Sequence, residues 1–146
     1  MKETDFTTTV LVDQSPKEVF DAINNVRGWW QGEINGNTHQ LNEEFTYRMG
    51  DLHLSKQKVV EIIPDKKVVW LITESNINFV AHKEEWLNTK IVFDISTAGE
   101  KTKLTFTHHG LTPAIECYNG CSGAWGQLIE KSLFSLITTG KGVDIF

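Results

Sequence analysis

A chain of 146 residues can bury roughly 70% of its unfolded surface, so residues 1–146 are expected to form one domain that needs no disulfide or structural metal. With 40% hydrophobic and 23% charged residues, the composition excludes a disordered or membrane-embedded chain. The net charge of -5, with Lys and Arg scattered among more numerous acids, excludes the basic patch of a nucleic-acid binder.

The first residues, MKETDFTTTV, carry no apolar run behind a basic start, and no stretch anywhere reaches about 18 consecutive apolar residues. Neither a secretory signal nor a membrane span is expected, and the expected compartment is the cytoplasm. Residues 6–12, FTTTVLV, are β-branched and place Phe6, Thr8, Val10 and Val12 on one face, which predicts a strand. Ser15 then caps a helix, with Pro16 at its first position and Glu18 completing a capping box. Val19, Phe20, Ile23 and Val26 form the apolar stripe. The helix runs into Trp29 and Trp30, two large rings where polar loop should begin, so something must cover them or be covered by them.

From residue 43 to 109 the period is two. Phe45, Tyr47 and Met49 alternate with Glu44, Thr46 and Arg48, and Gly50-Asp51 turns the chain into a strand over 52–63. Pro64-Asp65-Lys66-Lys67 turns it again, into VVWLIT at 68–73. The connection 74–88 holds Phe79, His82 and Trp86 beside the charged Lys83-Glu84-Glu85, and reads as a segment folded over the end of the sheet. Ile91, Phe93 and Ile95 then alternate with Lys90, Val92 and Asp94, and after a turn at 98–101 Leu104, Phe106 and His108 oppose Thr105, Thr107 and His109. This is an antiparallel meander of five or six strands.

Thr112-Pro113 opens a long final helix, whose 3-4 spacing runs through Tyr118, Cys121, Trp125, Leu128 or Ile129, Ser132 and Leu136 to Gly140. The two cysteines, Cys117 and Cys121, lie four apart on it, badly oriented for a bridge, and are expected as thiols. The tail GKGVDIF, 140–146, fits none of these patterns. The stretch Gly120-Cys121-Ser122-Gly123-Ala124-Trp125-Gly126 lacks bulk, since each interior Gly costs roughly 0.5–1 kcal/mol against Ala and fills no space. If the sheet curves around such a helix, a hollow is left, lined by Phe45, Tyr47, Trp70, Phe93, Phe106 and His108 from the sheet and by Tyr118 and Trp125 from the helix.

The pieces FTTTVLVDQSPKEVFDAI, RGWW, VVEIIPDKKVVW, TKIVFDIS, KTKLTFTHHGL, ECYNGCSGAWGQLIEKSL and LITTGKG, in this order, resemble the heat-shock protein 90 ATPase activator homologue-like proteins, a branch of the START-like (SRPBCC, helix-grip) superfamily. The resemblance runs through nearly the whole chain. It implies an α+β fold of order β-α-β6-α, a curved antiparallel sheet wrapped around the C-terminal helix, with a small extra helix somewhere in 29–40. It also implies an apolar cavity between sheet and helix, with Trp29 and Trp30, one or both, closing an end of it. The superfamily includes enzymes, binders of lipids, hormones or antibiotics, and a chaperone-contacting domain, so the fold does not fix the function.

His108, His109, Glu116, Cys117 and Cys121 form the densest cluster of metal-competent or nucleophilic groups, but their spacing matches no zinc motif, and a Cys117–His108 pair lacks an orienting third group. No catalytic residue, metal or cofactor is therefore assigned. The leading expectation is the binding of a small hydrophobic or aromatic ligand contacted by Trp29, Trp30, Tyr47, Trp70, Phe93, His108, Tyr118 and Trp125, with His108 and Tyr118 as polar anchors. The alternative is a module that binds a protein partner or regulates a chaperone, and third stands a cyclase- or hydrolase-type enzyme.

Overall fold

The computed structural model describes residues 5–30, 32–36, 38, 40–49, 53–77, 86–111 and 118–143, without the side chains of Ile77 and residues 118–121. The first strand, β1 (Phe6–Val12), hands over to helix α1 (Pro16–Asn24) at Ser15, whose hydroxyl accepts the Glu18 amide at 3.2 Å. This cap satisfies one of the amides that every helix start leaves unpaired. Val19 and Ile23, on the inward face, are completely buried, as is Val26 just beyond.

A short 3-10 helix, Val26–Gly28, follows α1 directly. The small extra helix expected within 29–40 is thus displaced toward the N-terminus, and Glu33–Gly36 instead forms strand β2. Ile34 is the single buried side chain of that segment, too little for a helical stripe but enough for one face of an edge strand. The Arg27 guanidinium fastens it, donating to the carbonyls of Ile34 at 3.0 Å and Gly36 at 2.9 Å.

Strands β3 (Glu44–Met49), β4 (His53–Ile63), β5 (Lys67–Ile77), β6 (Lys90–Ala98) and β7 (Lys101–His109) complete a seven-stranded sheet in the order β1-β7-β6-β5-β4-β3-β2, every pair antiparallel. The long β4–β5 hairpin shifts register between Lys56 and Gln57 and again between Val59 and Glu61. Such bulges bend and twist a ribbon, which is how a hairpin of this length curves around a helix. β5 pairs with β6 through Lys67–Leu71, and backbone bonds of Ile72 with Asn88 and Thr89, each 2.9 Å, carry that pairing one residue further.

The C-terminal helix runs from α2 (Tyr118–Gln127) through a π-helical stretch, Leu128–Leu133, into α3 (Phe134–Thr139), and ends at Gly140 in the left-handed conformation (φ 87°). The expected Thr112-Pro113 entry and the Gly50-Asp51 turn lie outside the described residues. The wider π turn keeps Leu128, Ile129, Ser132 and Leu133 all inward. Ser132 donates to the Trp29 carbonyl at 2.8 Å and accepts the Val143 amide at 3.2 Å. The tail that fits no sequence pattern is therefore tied down through Val143, with Gly142 pressed against the Gly28 carbonyl so closely that no Cβ fits. The whole is an α+β helix-grip fold of order β-α-β6-α. Among the described residues, no helix is long and apolar enough to cross a membrane.

Candidate functional site

The period of two turns alternate side chains of the strands toward the helix. Phe45 and Tyr47 of β3, Trp70 of β5, Phe93 of β6 and Phe106 and His108 of β7 all point inward and are at most 4% exposed. Trp29 and Trp30 join them from the end of the 3-10 helix, and Trp125 from α2. Both rings of the pair are thus buried on the concave side of the sheet.

The two are held differently. Trp29 is fastened at both ends: its indole N–H donates to the Ile23 carbonyl at 3.2 Å, and its own carbonyl accepts Ser132. Trp30 is held by its ring, which stacks on Tyr47 with centroids 3.9 Å apart. Trp30 also lies 6.1 Å from Trp70, nearly parallel, and 5.0 Å from Trp125. It stands between the sheet and the helix.

Trp30 is one of five rings that close a circuit. From Trp30 it passes to Tyr47, then to His53 of β4 at 5.3 Å, Trp86 at 4.6 Å, Trp125 at 5.7 Å and back to Trp30. The circuit lies toward the end of the sheet where β3 finishes and β4 begins. Trp86, from the connection ahead of β6, covers that end and also meets His108 edge-on at 4.8 Å.

Polar groups in this setting are almost all committed. The Trp125 indole N–H donates to His108 Nδ1 at 3.1 Å, which leaves the imidazole proton on Nε2. That Nε2 donates to the Thr89 hydroxyl at 2.8 Å, and Thr89 in turn donates to the Trp86 carbonyl at 2.5 Å. Burial drives His108 down to about 3 and His53 down to about 4, so both rings are neutral. Burial likewise raises the Tyr47 phenol well above its ordinary value.

On β4, the Gln57 amide donates to the Ser55 hydroxyl at 2.5 Å, and Ser55 stands 3.1 Å from His53 Nε2. Two buried atoms have no partner here: Gln57 Oε1 and the Trp70 indole Nε1. Folded proteins seldom leave such groups unpaired.

Of the expected site residues, Trp29, Trp30, Tyr47, Trp70, Phe93, His108 and Trp125 come together, while the side chain of Tyr118 lies outside the described residues. The small-residue stretch behaves differently from its reading. Gly123 is exposed, and a Cβ there would meet nothing; Gly126 faces Glu130 Oε2. These two glycines thin the outer side of the helix, not the side against the sheet. Glu116, Cys117 and the Cys121 side chain lie outside the described residues, as do Phe79, His82 and Lys83 to Glu85. Of the two histidines in that cluster, His108 points inward, whereas His109 is exposed with its Nδ1 2.9 Å from Asp5. No metal-holding group occurs among the described residues.

Trp86 was expected only as part of a segment over the end of the sheet and not as a site residue, and Thr89 and the buried stripe His53, Ser55 and Gln57 were missed by the sequence reading. Two open hollows on the outer surface, of about 570 Å³ beside Ser15 and Lys66 and about 320 Å³ beside Glu18 and Leu136, touch none of these rings.

The chain is similar in fold to several solved structures. The Aha1 dimer from Colwellia psychrerythraea, solved in solution, superposes with a TM-score of 0.76 at 22% identity, covering 95% of this chain and 99% of that one. Protein MLL2253 from Mesorhizobium loti gives 0.71 at 14% identity over 94% and 99% of the two chains. CalU16 from Micromonospora echinospora gives 0.63 at 14% identity over 92% and 76%. No curated protein matches the chain. The family model described as activator of Hsp90 ATPase homolog 1-like protein matches residues 13–137, and the chain belongs to that family.

Proposed function

We propose that this protein binds a small hydrophobic molecule with fused or linked aromatic rings, taken up between the sheet and the C-terminal helix in the place that the Trp30 indole fills. The observation that carries this reading is the place of Trp30 as one member of a closed circuit of rings, stacked on Tyr47 and flanked by Trp70 and Trp125. The Trp29 indole cannot leave without breaking its hydrogen bond to the Ile23 carbonyl. Trp30 needs only to swing out, exchanging one stacking partner for another.

Magnitudes set the size of the guest. Turning the Trp30 indole into water forfeits about 3 kcal/mol or more of buried ring surface, so a guest no larger than indole gains nothing. A molecule of three rings buries more area than it displaces and adds stacking on Tyr47 and Trp125, each worth about 1 kcal/mol. Binding is then ring burial supported by the aromatic circuit, with no charge transfer and no bond made.

Calorimetric titration with flavone, a flat uncharged molecule of this size, tests the reading. Saturable binding at one site that is lost in Trp125→Ala supports it. Absence of heat with flavone and with equally large flat hydrocarbons defeats it and leaves the protein-interaction module as the better reading.

A further inference from the structure

We infer that the inner face of β4, His53 to Gln57, together with the Trp70 indole N–H, forms the polar end of this site and selects uncharged aromatic ligands that carry both a hydrogen-bond donor and an acceptor. The inference rests on the binding reading above and adds to it the chemistry of the guest.

Gln57 is 0% exposed and commits one end of its amide to Ser55, while its Oε1 meets no donor. Trp70 is equally buried, and its Nε1 meets no acceptor. The register places the two together. Gln57 opposes Ile72, and Trp70 opposes Val59, so Gln57 and Trp70 are diagonal neighbours on the concave face, roughly 7–8 Å apart at the backbone. Trp70 lies nearly parallel to Trp30 at 6.1 Å, which brings its indole beside the position proposed for the guest, and Gln57 opposes Phe45, whose ring meets Trp70 at 5.0 Å.

Competing polar groups are already engaged. His108 uses both ring nitrogens, on Trp125 and Thr89. Gln57 Oε1 therefore offers acceptance to a ligand hydroxyl or N–H, and Trp70 Nε1 offers a proton to a ligand carbonyl or ether oxygen. The remaining unpaired buried atoms, on Gln14 and Asn24, belong to half-buried residues at the two ends of α1. Charge is discriminated by the same surroundings. No Lys, Arg, Asp or Glu is buried among the described residues, so an ionised ligand would lose its hydration without a countercharge.

The test uses flavonol, which has both a hydroxyl and a carbonyl, its methyl ether, which lacks the donor, and a flavone carboxylate, each titrated against the whole chain. Flavonol is expected to bind about tenfold or more tighter than its ether, and the carboxylate about tenfold or more weaker than either. In Gln57→Leu the ratio of flavonol to ether is expected to fall to about one, and in Trp70→Phe both are expected to weaken together by about tenfold. Gln57→Met, which keeps the side-chain length, repeats the first comparison should the leucine variant fold poorly. Flavonol emission supplies a second readout, because a hydroxyl donated to Gln57 is withdrawn from the molecule's internal proton transfer. Saturable binding of all three with equal affinity, or a ratio unchanged in both Gln57 variants, overturns this inference while leaving the binding reading intact and points to a resident water on these atoms. Binding of none of the three overturns both.

Discussion

The Trp125 indole N–H and His108 Nδ1 meet at 3.1 Å, joining the C-terminal helix to β7 through a bond that only a neutral imidazole can accept. Protonation of His108 would set donor against donor inside the core. Burial holds His108 at about 3 and His53 at about 4, below the unfolded value near 6.5. Below that value the unfolded chain takes up protons that the folded chain refuses, so stability is complete above about pH 6.5 and is lost progressively as pH falls from there to the folded values of about 4 and about 3. Each histidine is expected to remove about 1 kcal/mol per pH unit in that window. Urea midpoints between neutral pH and about 4.5 should show the slope, and His53→Gln should remove about half of it.

Thr89 connects His108 to the backbone of Trp86. Thr89→Val keeps the shape and removes both side-chain bonds, leaving His108 Nε2 unpaired, while the Trp86 carbonyl keeps the Thr89 amide at 3.0 Å. A loss of about 1–3 kcal/mol by urea denaturation is expected, and Thr89→Ser should recover most of it.

Ser132 links three separate parts of the chain: the π-helical stretch, the end of the 3-10 helix and the tail. Ser132→Ala is expected to cost about 1–3 kcal/mol and to release Val143. Gly142→Ala should release the tail alone, because its new methyl cannot pass the Gly28 carbonyl. Amide exchange at Val143 should rise sharply in both variants, while the core amides of β6 change only in the first.

The neighbouring tryptophans are expected to differ in kind. Trp29→Ala removes a buried ring together with its bond to Ile23, costing about 3–5 kcal/mol and bringing no gain in binding. Trp30→Ala also destabilises, but it removes the group a guest must displace. Flavone affinity is expected to rise about tenfold or more in that variant, as measured by calorimetry.

Legibility followed the strength of each physical signal. Ser15 and Pro16 announced α1 because capping chemistry is local, and the aromatic alternation on β3, β5, β6 and β7 announced which rings share a face. The polar stripe of β4 stayed hidden because Leu54, Lys56 and Lys58 face outward opposite His53, Ser55 and Gln57, so hydropathy barely alternates there. β2 was missed for want of more than one apolar side chain. The π-helical stretch has no residue signature at all, and it carries the hydrogen bond from Ser132 to the Trp29 carbonyl. Glycines marked a thin helix correctly but could not tell its inner side from its outer, which is decided by register against the sheet.

The displacement of Trp30 can be watched directly. With all five tryptophans replaced by fluorotryptophan and their resonances assigned by single substitution, flavone should move the Trp30 signal into solvent, shown by a water isotope shift. Trp29 and Trp70 should stay dry. Saturation of the protein with flavone while the Trp30 signal keeps its buried shift would contradict the account.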